Sequence, residues 1–215
     1  MPYDALNLGA HVGDRPEAVL ANRQRLVTLA DLPTMPQWLN QVHGTQVVPL
    51  YSPASDVLTG DAAYTNKPGL VCAVMTADCL PVLFCSDSGD EVAAAHAGWR
   101  GLCSGVLEAT LNHFRSPAAS VMAWLGPAIG PKAFEVGPEV REAFMAQNPA
   151  AADAFIANDN KFLADIYQLA RLRLQAQGVT KIFGGDACTV TQADKFFSYR
   201  RDGTTGRMAS LIWVI

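Results

Sequence analysis

The chain has 215 residues, the size of one large domain or at most two small ones. Half of them are hydrophobic and 17% charged, which excludes a disordered chain; a net charge of −4, from 16 basic and 20 acidic residues, excludes nucleic-acid binding by broad charge neutralisation. No run of like charges and no apolar stretch of bilayer length points to a membrane, and MPYDALNLGA has neither the basic nor the apolar region of a signal peptide. The five cysteines are odd in number and irregularly spaced, which fits a reducing cytoplasm better than a disulfide framework.

Helical and strand patterns alternate along the chain, so the expected fold is mixed α/β (α+β type): a single domain over residues 1–215 with a mixed β-sheet flanked by helices. Asp14 is placed to cap a helix from about Arg15 to Ala30, with Pro16 in its first turn and Leu20, Val27 and Ala30 on one face. An extended piece, QWLNQVHG, follows Pro36; then comes a strand, QVVPL, ending near the turn residues SPAS. The short apolar runs Leu70–Thr76 and Leu80–Ser86 read as buried strands, DSGD as a turn, and EVAAAHA as a strand that delivers His96 near its end. GWRG breaks that strand before a helix from about Leu102 to Phe114. VMAWLGP is a further strand and PAIGPKAFEVGP a loop, near which a division into halves is the weaker alternative to one domain. Helices are expected over Pro138–Gln147 and Asp165–Gln177, the second capped by Asp165 and closed by Gly178; KIFGG and SLIWVI complete the strands.

Three residues fall where loops leave strands: His43 in NQVHG, Cys79 in TADCLP and His96 in AHAGWRG. Two imidazoles and a thiolate are good zinc ligands, and three protein ligands leave a tetrahedral position open, as in catalytic sites. Read singly, a buried Cys is usually a small hydrophobe and a His at a strand end a hydrogen-bonded surface residue. The neighbourhood shifts that balance. Gly44, Gly98 and Gly101 permit close backbone approach, and Asp78 sets a carboxylate beside Cys79, to orient a ligand, move a proton, or simply hold a turn. Arg100, just before a glycine-rich helix start, suits a phosphate between guanidinium and helix, or solvent. In FFSYRRDGTTGR, Phe197 or Tyr199 is able to stack on a planar base; an alternating strand with Arg201 and Arg207 outward is the preferred reading, and Arg200 stays open.

The stretches PYDALNLGAHVGD, WLNQVHG, DAAYTNKPGL, TADCLPVLF, AAHAGWRG, LGPAIGP and FFSYRRDGTTGRMASLIW span essentially the whole chain. Together they resemble the family long labelled multicopper polyphenol oxidase or laccase-domain proteins, whose members are now more often described as zinc-dependent purine nucleoside enzymes. The resemblance implies zinc held by His43, Cys79 and His96, and a pocket around the metal in one mixed α/β domain. It implies phosphorolysis of adenosine, inosine or methylthioadenosine and deamination of adenosine, with purine nucleosides and phosphate as partners. On that basis Asp78 and Arg100 are the expected catalytic residues, and Gln41, Arg100 and Arg200 the expected substrate contacts. Family members usually carry a segment ahead of the PYDALNLG-like stretch; this chain starts at Met1 and is shorter there, so one anion contact is expected to be missing.

Four histidines are too few for a His-rich multinuclear copper cluster, so a genuine polyphenol oxidase is the poorer fit, with copper an adventitious occupant of the His-Cys-His set. Editing of a nucleotide-linked peptidoglycan precursor is the other activity the resemblance raises. A non-enzymatic zinc protein would need a fourth ligand such as Cys188 or Asp78.

Overall fold

The computed structural model describes residues 2–53 and 56–215, so part of the SPAS turn lies outside the described residues, as does Met1. In chain order the elements are α1 (Pro16–Leu29), β1 (Leu39–Asn40), β2 (Val47–Pro49), β3 (Leu58–Thr59), β4 (Ala62–Thr65), β5 (Val71–Thr76), β6 (Leu80–Ser86) and β7 (Val92–Ala97). They continue with α2 (Trp99–Ser104), α3 (Val106–Leu111), β8 (Val121–Leu125), β9 (Glu135–Val136), α4 (Pro138–Gln147), β10 (Phe155–Asn158), β11 (Lys161–Ala164), α5 (Ile166–Ala176), β12 (Lys181–Gly184), α6 (Tyr199–Asp202) and β13 (Met208–Trp213).

The expected mixed sheet is six-stranded, in the order β12-β8-β6-β7-β4-β2, parallel at its two ends and antiparallel between. A second, antiparallel pair, β13-β5, lies against it. The period of two along each strand sorts the core into layers. Leu80, Val82 and Phe84 of β6 and Ala93, Ala95 and Ala97 of β7 meet Leu102, Leu107, Phe144, Leu169 and Leu174 from the helices. The alternate residues Val92 and Ala94 meet Cys72 and Val74 of β5. Ala73 and Met75, on the far face of β5, pack with Leu8, Trp38 and Leu26 of α1. The order is thus helices, sheet, strand pair, helix. Both faces of β5 and β7 are covered, which is why these strands read as unbroken apolar runs. Each fully buried Phe or Leu in these layers contributes about 1.5–3 kcal/mol.

Several local expectations are corrected. Asp14 does not cap α1; Arg15 occupies that position, and Asp14 instead accepts from Asn7 Nδ2 at 3.0 Å. The inward side of α1 carries Val19 and Leu26, while Leu20 and Ala30 are exposed. The helix expected over Leu102–Phe114 begins at Trp99 and breaks at Gly105, whose φ of 101° lies in the left-handed region. PAIGPKAFEVGP contains β9, which pairs with β11 in a small three-stranded sheet. FFSYRRDG holds the short helix α6, capped by Ser198, and Tyr199 is exposed. No helix among the described residues is long and apolar enough to cross a membrane.

Candidate metal centre and its cavities

Two loops and the end of a strand meet here. His43 follows β1, Cys79 sits in the turn between β5 and β6, and His96 lies on β7, on the face of Val92 and Ala94 that looks toward β5. Their ligand atoms lie within 4.8 Å of one another, with Cys79 Sγ 3.8 Å from His43 Nε2. A tetrahedral zinc with bonds of about 2.3 Å to sulfur and about 2.0 Å to nitrogen holds such atoms about 3.5 Å apart. The donor set therefore fits a borderline-soft divalent ion. His43 is exposed, Cys79 half-buried and His96 buried, so the group opens to one side only.

One buried carboxylate organises it. Asp61 is fully buried at the start of β4; its Oδ1 accepts from His43 N at 2.8 Å and His96 Nδ1 at 2.9 Å, and its Oδ2 from Gly44 N at 2.7 Å and Val42 N at 3.2 Å. The loop that brings in His43 is thus wrapped around one acceptor, with His43 itself at φ 61°. The bond to His96 Nδ1 leaves Nε2 free to ligate an ion. Burial opposes charge on His96, but hydrogen bonds to Asp61 and Cys79 outweigh it and raise its pKa to about 9. Burial likewise opposes a Cys79 thiolate, and hydrogen bonds from His43 and His96 bring that thiol down to about 6. Asp61 keeps its charge against burial through His96 and the backbone N–H groups. Cys79 as thiolate and His96 as imidazolium therefore stabilise each other, and a cation bound among the three groups would take the place of the His96 proton.

Glycines let the backbones close in. A Cβ on Gly98 would stand 2.9 Å from His43 Cδ2 and 3.0 Å from Cys79 Sγ, and one on Gly101 would stand 2.8 Å from Gly44 O. Only hydrogen fits in either place.

Two cavities share Ala77, Cys79 and Tyr199 as walls. The first, about 350 Å³, contains the three ligands together with His11, Gln41 and Arg207. Gln41 lines it while pairing its amide with the backbone of Met75, accepting at 2.8 Å and donating at 2.9 Å. The second, about 280 Å³, is lined by Asp78, Arg100 and Arg200 with Trp99 and Phe134. Asp78, at φ 108°, accepts from Thr189 Oγ1 at 2.5 Å and from Arg200 N at 2.7 Å; it neighbours Cys79 in the chain but is not among the convergent donors. Arg100 is exposed and stacks over Trp99 at 4.6 Å. Arg200 donates to Glu135 O at 3.0 Å and lies over Phe134. Cys188 instead accepts from Gly130 N at 3.3 Å, away from the metal ligands. All five cysteines are free thiols.

Residues 1–215 match the family model described as multi-copper polyphenol oxidoreductase laccase. The chain belongs to this family. It is 63% identical over 214 residues to a protein of Escherichia coli (strain K12) named purine nucleoside phosphorylase YfiH, covering 100% of this chain and 88% of that one. A Pseudomonas aeruginosa protein also named purine nucleoside phosphorylase is 55% identical over 215 residues, covering 99% and 87%. Among solved structures, protein NMB0706 of Neisseria meningitidis superposes with a TM-score of 0.96 at 52% identity, over 100% of this chain and 88% of that one. YlmD of Geobacillus stearothermophilus superposes at 0.89 with 32% identity, over 100% and 86%.

The laccase-family label invites a test against copper. Among the described residues one group of three or more convergent His, Cys, Asp or Glu side chains exists, and it is His43, Cys79 and His96. That suits a single ion and offers no second cluster for multi-copper chemistry.

The sequence reading missed Asp61 and Arg207. The signal for Asp61 was a lone carboxylate between Gly60 and the apolar run of β4; that for Arg207 was its place directly before β13. The outward orientation expected for Arg207 is corrected: it is partly buried and lines the metal cavity. Arg201 is tied to Asp202 at 2.7 Å and to three backbone carbonyls, a structural clamp.

Proposed function

We propose that this chain is a zinc-dependent purine nucleoside phosphorylase, cleaving adenosine, inosine or methylthioadenosine, and that the same site deaminates adenosine. The observation that carries the reading is the convergence of two imidazoles and one thiolate on a cavity of about 350 Å³, within the range of small-molecule sites, in a chain whose close relatives bear the phosphorylase name. His43, Cys79 and His96 would hold the ion. When bound, it would supply Lewis-acid polarisation of a substrate group.

In phosphorolysis a phosphate oxygen bonds to C1′ as the C1′–N9 bond breaks. The electron pair leaves with the purine, and the proton carried by the phosphate ends on the base. In deamination the oxygen of water replaces the amino group at C6, and ammonia departs with the protons. Gln41, Arg100 and Arg200 are proposed as substrate contacts. Asp78 is proposed to carry the proton, since each of its oxygens accepts one hydrogen bond and keeps a further lone pair. The free thiols fit a cytoplasmic enzyme.

The test is incubation of zinc-replete protein with inosine and adenosine, with and without phosphate, followed by product identification. Phosphate-dependent release of hypoxanthine and ribose 1-phosphate from inosine is expected, together with phosphate-independent conversion of adenosine to inosine. Cys79→Ala should lose zinc and both activities while keeping its circular dichroism spectrum. No base release by the metal-replete protein, or zinc and turnover both retained in Cys79→Ala, would overturn the reading.

A further inference from the structure

We propose that Arg207 and His11 form the oxyanion wall of the metal cavity, a seat for a phosphate group; its use in phosphorolysis rests on the function proposed above, its existence does not. Arg207 is partly buried and lines the same cavity as His43, Cys79 and His96. Its Nη1 donates to the carbonyls of Thr205 and Gly206, both at 3.1 Å. The remaining donors of the fork, at Nε and Nη2, have no protein acceptor among the described residues, and no carboxylate lies within ion-pair distance. Arg115, Arg173 and Arg201, by contrast, are each paired with a carboxylate. A guanidinium that is part-desolvated and left unpaired is costly unless an anion completes it.

The position of Arg207 is built. Fully buried Asn7 accepts from Arg207 N and from Gly9 N, both at 2.9 Å, and donates to Asp14 at 3.0 Å. Leu8 N donates to Arg207 O at 3.1 Å. A Cβ on Gly9 would lie 2.7 Å from Arg207 Cγ, so the Asn7–Gly9 backbone presses directly on the arginine stem. The same loop carries His11 to the cavity. Burial first, and then the charges of Arg207 and Arg23, hold the His11 pKa below its usual value. With a divalent ion held by His43, Cys79 and His96 in the same cavity, an oxyanion there would meet positive charge from both the ion and the guanidinium. Arg100, the arginine that the sequence favoured for phosphate, lines the adjoining cavity instead.

Free phosphate and the diphosphate of a nucleotide-linked substrate share this chemistry, so both are titrated. Calorimetry on the zinc-loaded full chain is run with inorganic phosphate and, separately, with uridine diphosphate; whichever binds in an Arg207-dependent way identifies the source. Arg207→Met should weaken binding by at least about tenfold, through loss of a forked charge-assisted contact, with zinc content unchanged. Arg207→Lys should recover part of the loss, and Arg25→Met, on the exposed side of α1, should bind as wild type. In the inosine assay Arg207→Met should raise the phosphate KM by the same factor and leave the inosine KM within about threefold.

Wild-type affinity in a zinc-loaded Arg207→Met protein overturns the proposal. So does failure of the wild type to bind either anion at about 10 mM. So does a loss confined to Arg100→Met, which would put the phosphate in the second cavity. Arg207-dependent phosphate binding without nucleoside cleavage upholds the anion site and sinks the phosphorylase reading. Should Arg207→Met fail to fold, His11→Gln at the exposed end of the wall carries the same test, with an expected loss of about threefold.

Discussion

Replacing Asp61 by Asn tests whether the metal ligands are held by the protein or gathered by the ion. Oδ1 of Asp61 takes His43 N and His96 Nδ1; Oδ2 takes Gly44 N and Val42 N. An Asn has one acceptor corner to offer. With its oxygen toward Gly44, its NH2 faces His43 N–H and His96 Nδ1, and the imidazole relieves the conflict by moving its proton to Nε2, the nitrogen needed for the metal. With its oxygen toward His96, two backbone donors of the His43 loop face an NH2. The first orientation leaves one donor, His43 N–H, without its acceptor and the second leaves two; at about 1.5–3 kcal/mol for each bond to the carboxylate, the metal-free protein should lose about 1.5–6 kcal/mol of stability. Zinc affinity should fall about 10–100-fold, the usual cost of losing a carboxylate behind a histidine ligand. Affinity is read by competition with a chromophoric chelator at pH 7, and stability by urea titration in chelator. The histidine tautomer in the metal-free variant is read by nitrogen chemical shifts. Asp61→Asn with zinc affinity within twofold of wild type and His96 still protonated at Nδ1 would refute the reasoning.

Two other outcomes follow from the same geometry. Gly98 has φ −60° and ψ 155°, which alanine adopts freely, so Gly98→Ala acts only through its methyl group against His43 and Cys79; zinc retained after dialysis should fall at least about tenfold while the melting temperature of the metal-free protein changes little. Glu91 is buried, and although burial opposes its charge, hydrogen bonds from Arg115 N, Tyr64 and Ser116 bring its pKa from 4.5 to about 2. A depressed carboxyl stabilises the fold above its unfolded pKa and ceases to do so as pH falls through the folded value, so this contribution should fade between about pH 5 and pH 2. Glu91→Gln should cost on the order of 2–3 kcal/mol at pH 7 in urea titrations and much less near pH 2; a pH-independent deficit would contradict the assignment.

The elements that came through clearly in the sequence are those whose burial is set by the element itself. β5, β6 and β7 are covered on both faces and read as continuous apolar runs. α5 shows Ile166, Leu169, Ala170 and Leu174 at helical spacing, and Asp165 caps it by accepting from Tyr167 N and Gln168 N, as expected. β10 and β11 escaped notice because they form an edge sheet with Ile156, Ala157 and Lys161 exposed, which removes the alternation that marks a strand. In the site, His43, Cys79 and His96 stood out as residue types near strand ends, but their spacing is a weak signal and the family resemblance is what joins them into one set. Asp61 and Arg207 were not, because nothing local distinguishes a carboxylate that will accept four hydrogen bonds from one that will face water. Their roles arise from contacts across the fold, from Asp61 to His43 and His96, and from Arg207 to Asn7 at the other end of the chain.

Those long-range contacts bear on how the centre forms. Two non-glycine residues at the site sit at positive φ, His43 at 61° and Asp78 at 108°, a conformation that costs about 1–2 kcal/mol each. Both are held by carboxylates that accept backbone N–H groups: Asp61 from the His43 loop, Asp78 from the first turn of α6. The layers beneath them are packed from Phe84, Leu80, Leu102 and Leu107, none of which lines the cavity of His43, Cys79 and His96. In a zinc finger the ion supplies the folding energy and chelation unfolds the domain. Here the hydrophobic layers fold the chain, and the strain needed to aim His43 and to turn the backbone ahead of Cys79 is offset by hydrogen bonds to the two carboxylates. An ion held by His43, Cys79 and His96 would therefore contribute little of the folding energy, and chelation is expected to leave the circular dichroism spectrum unchanged.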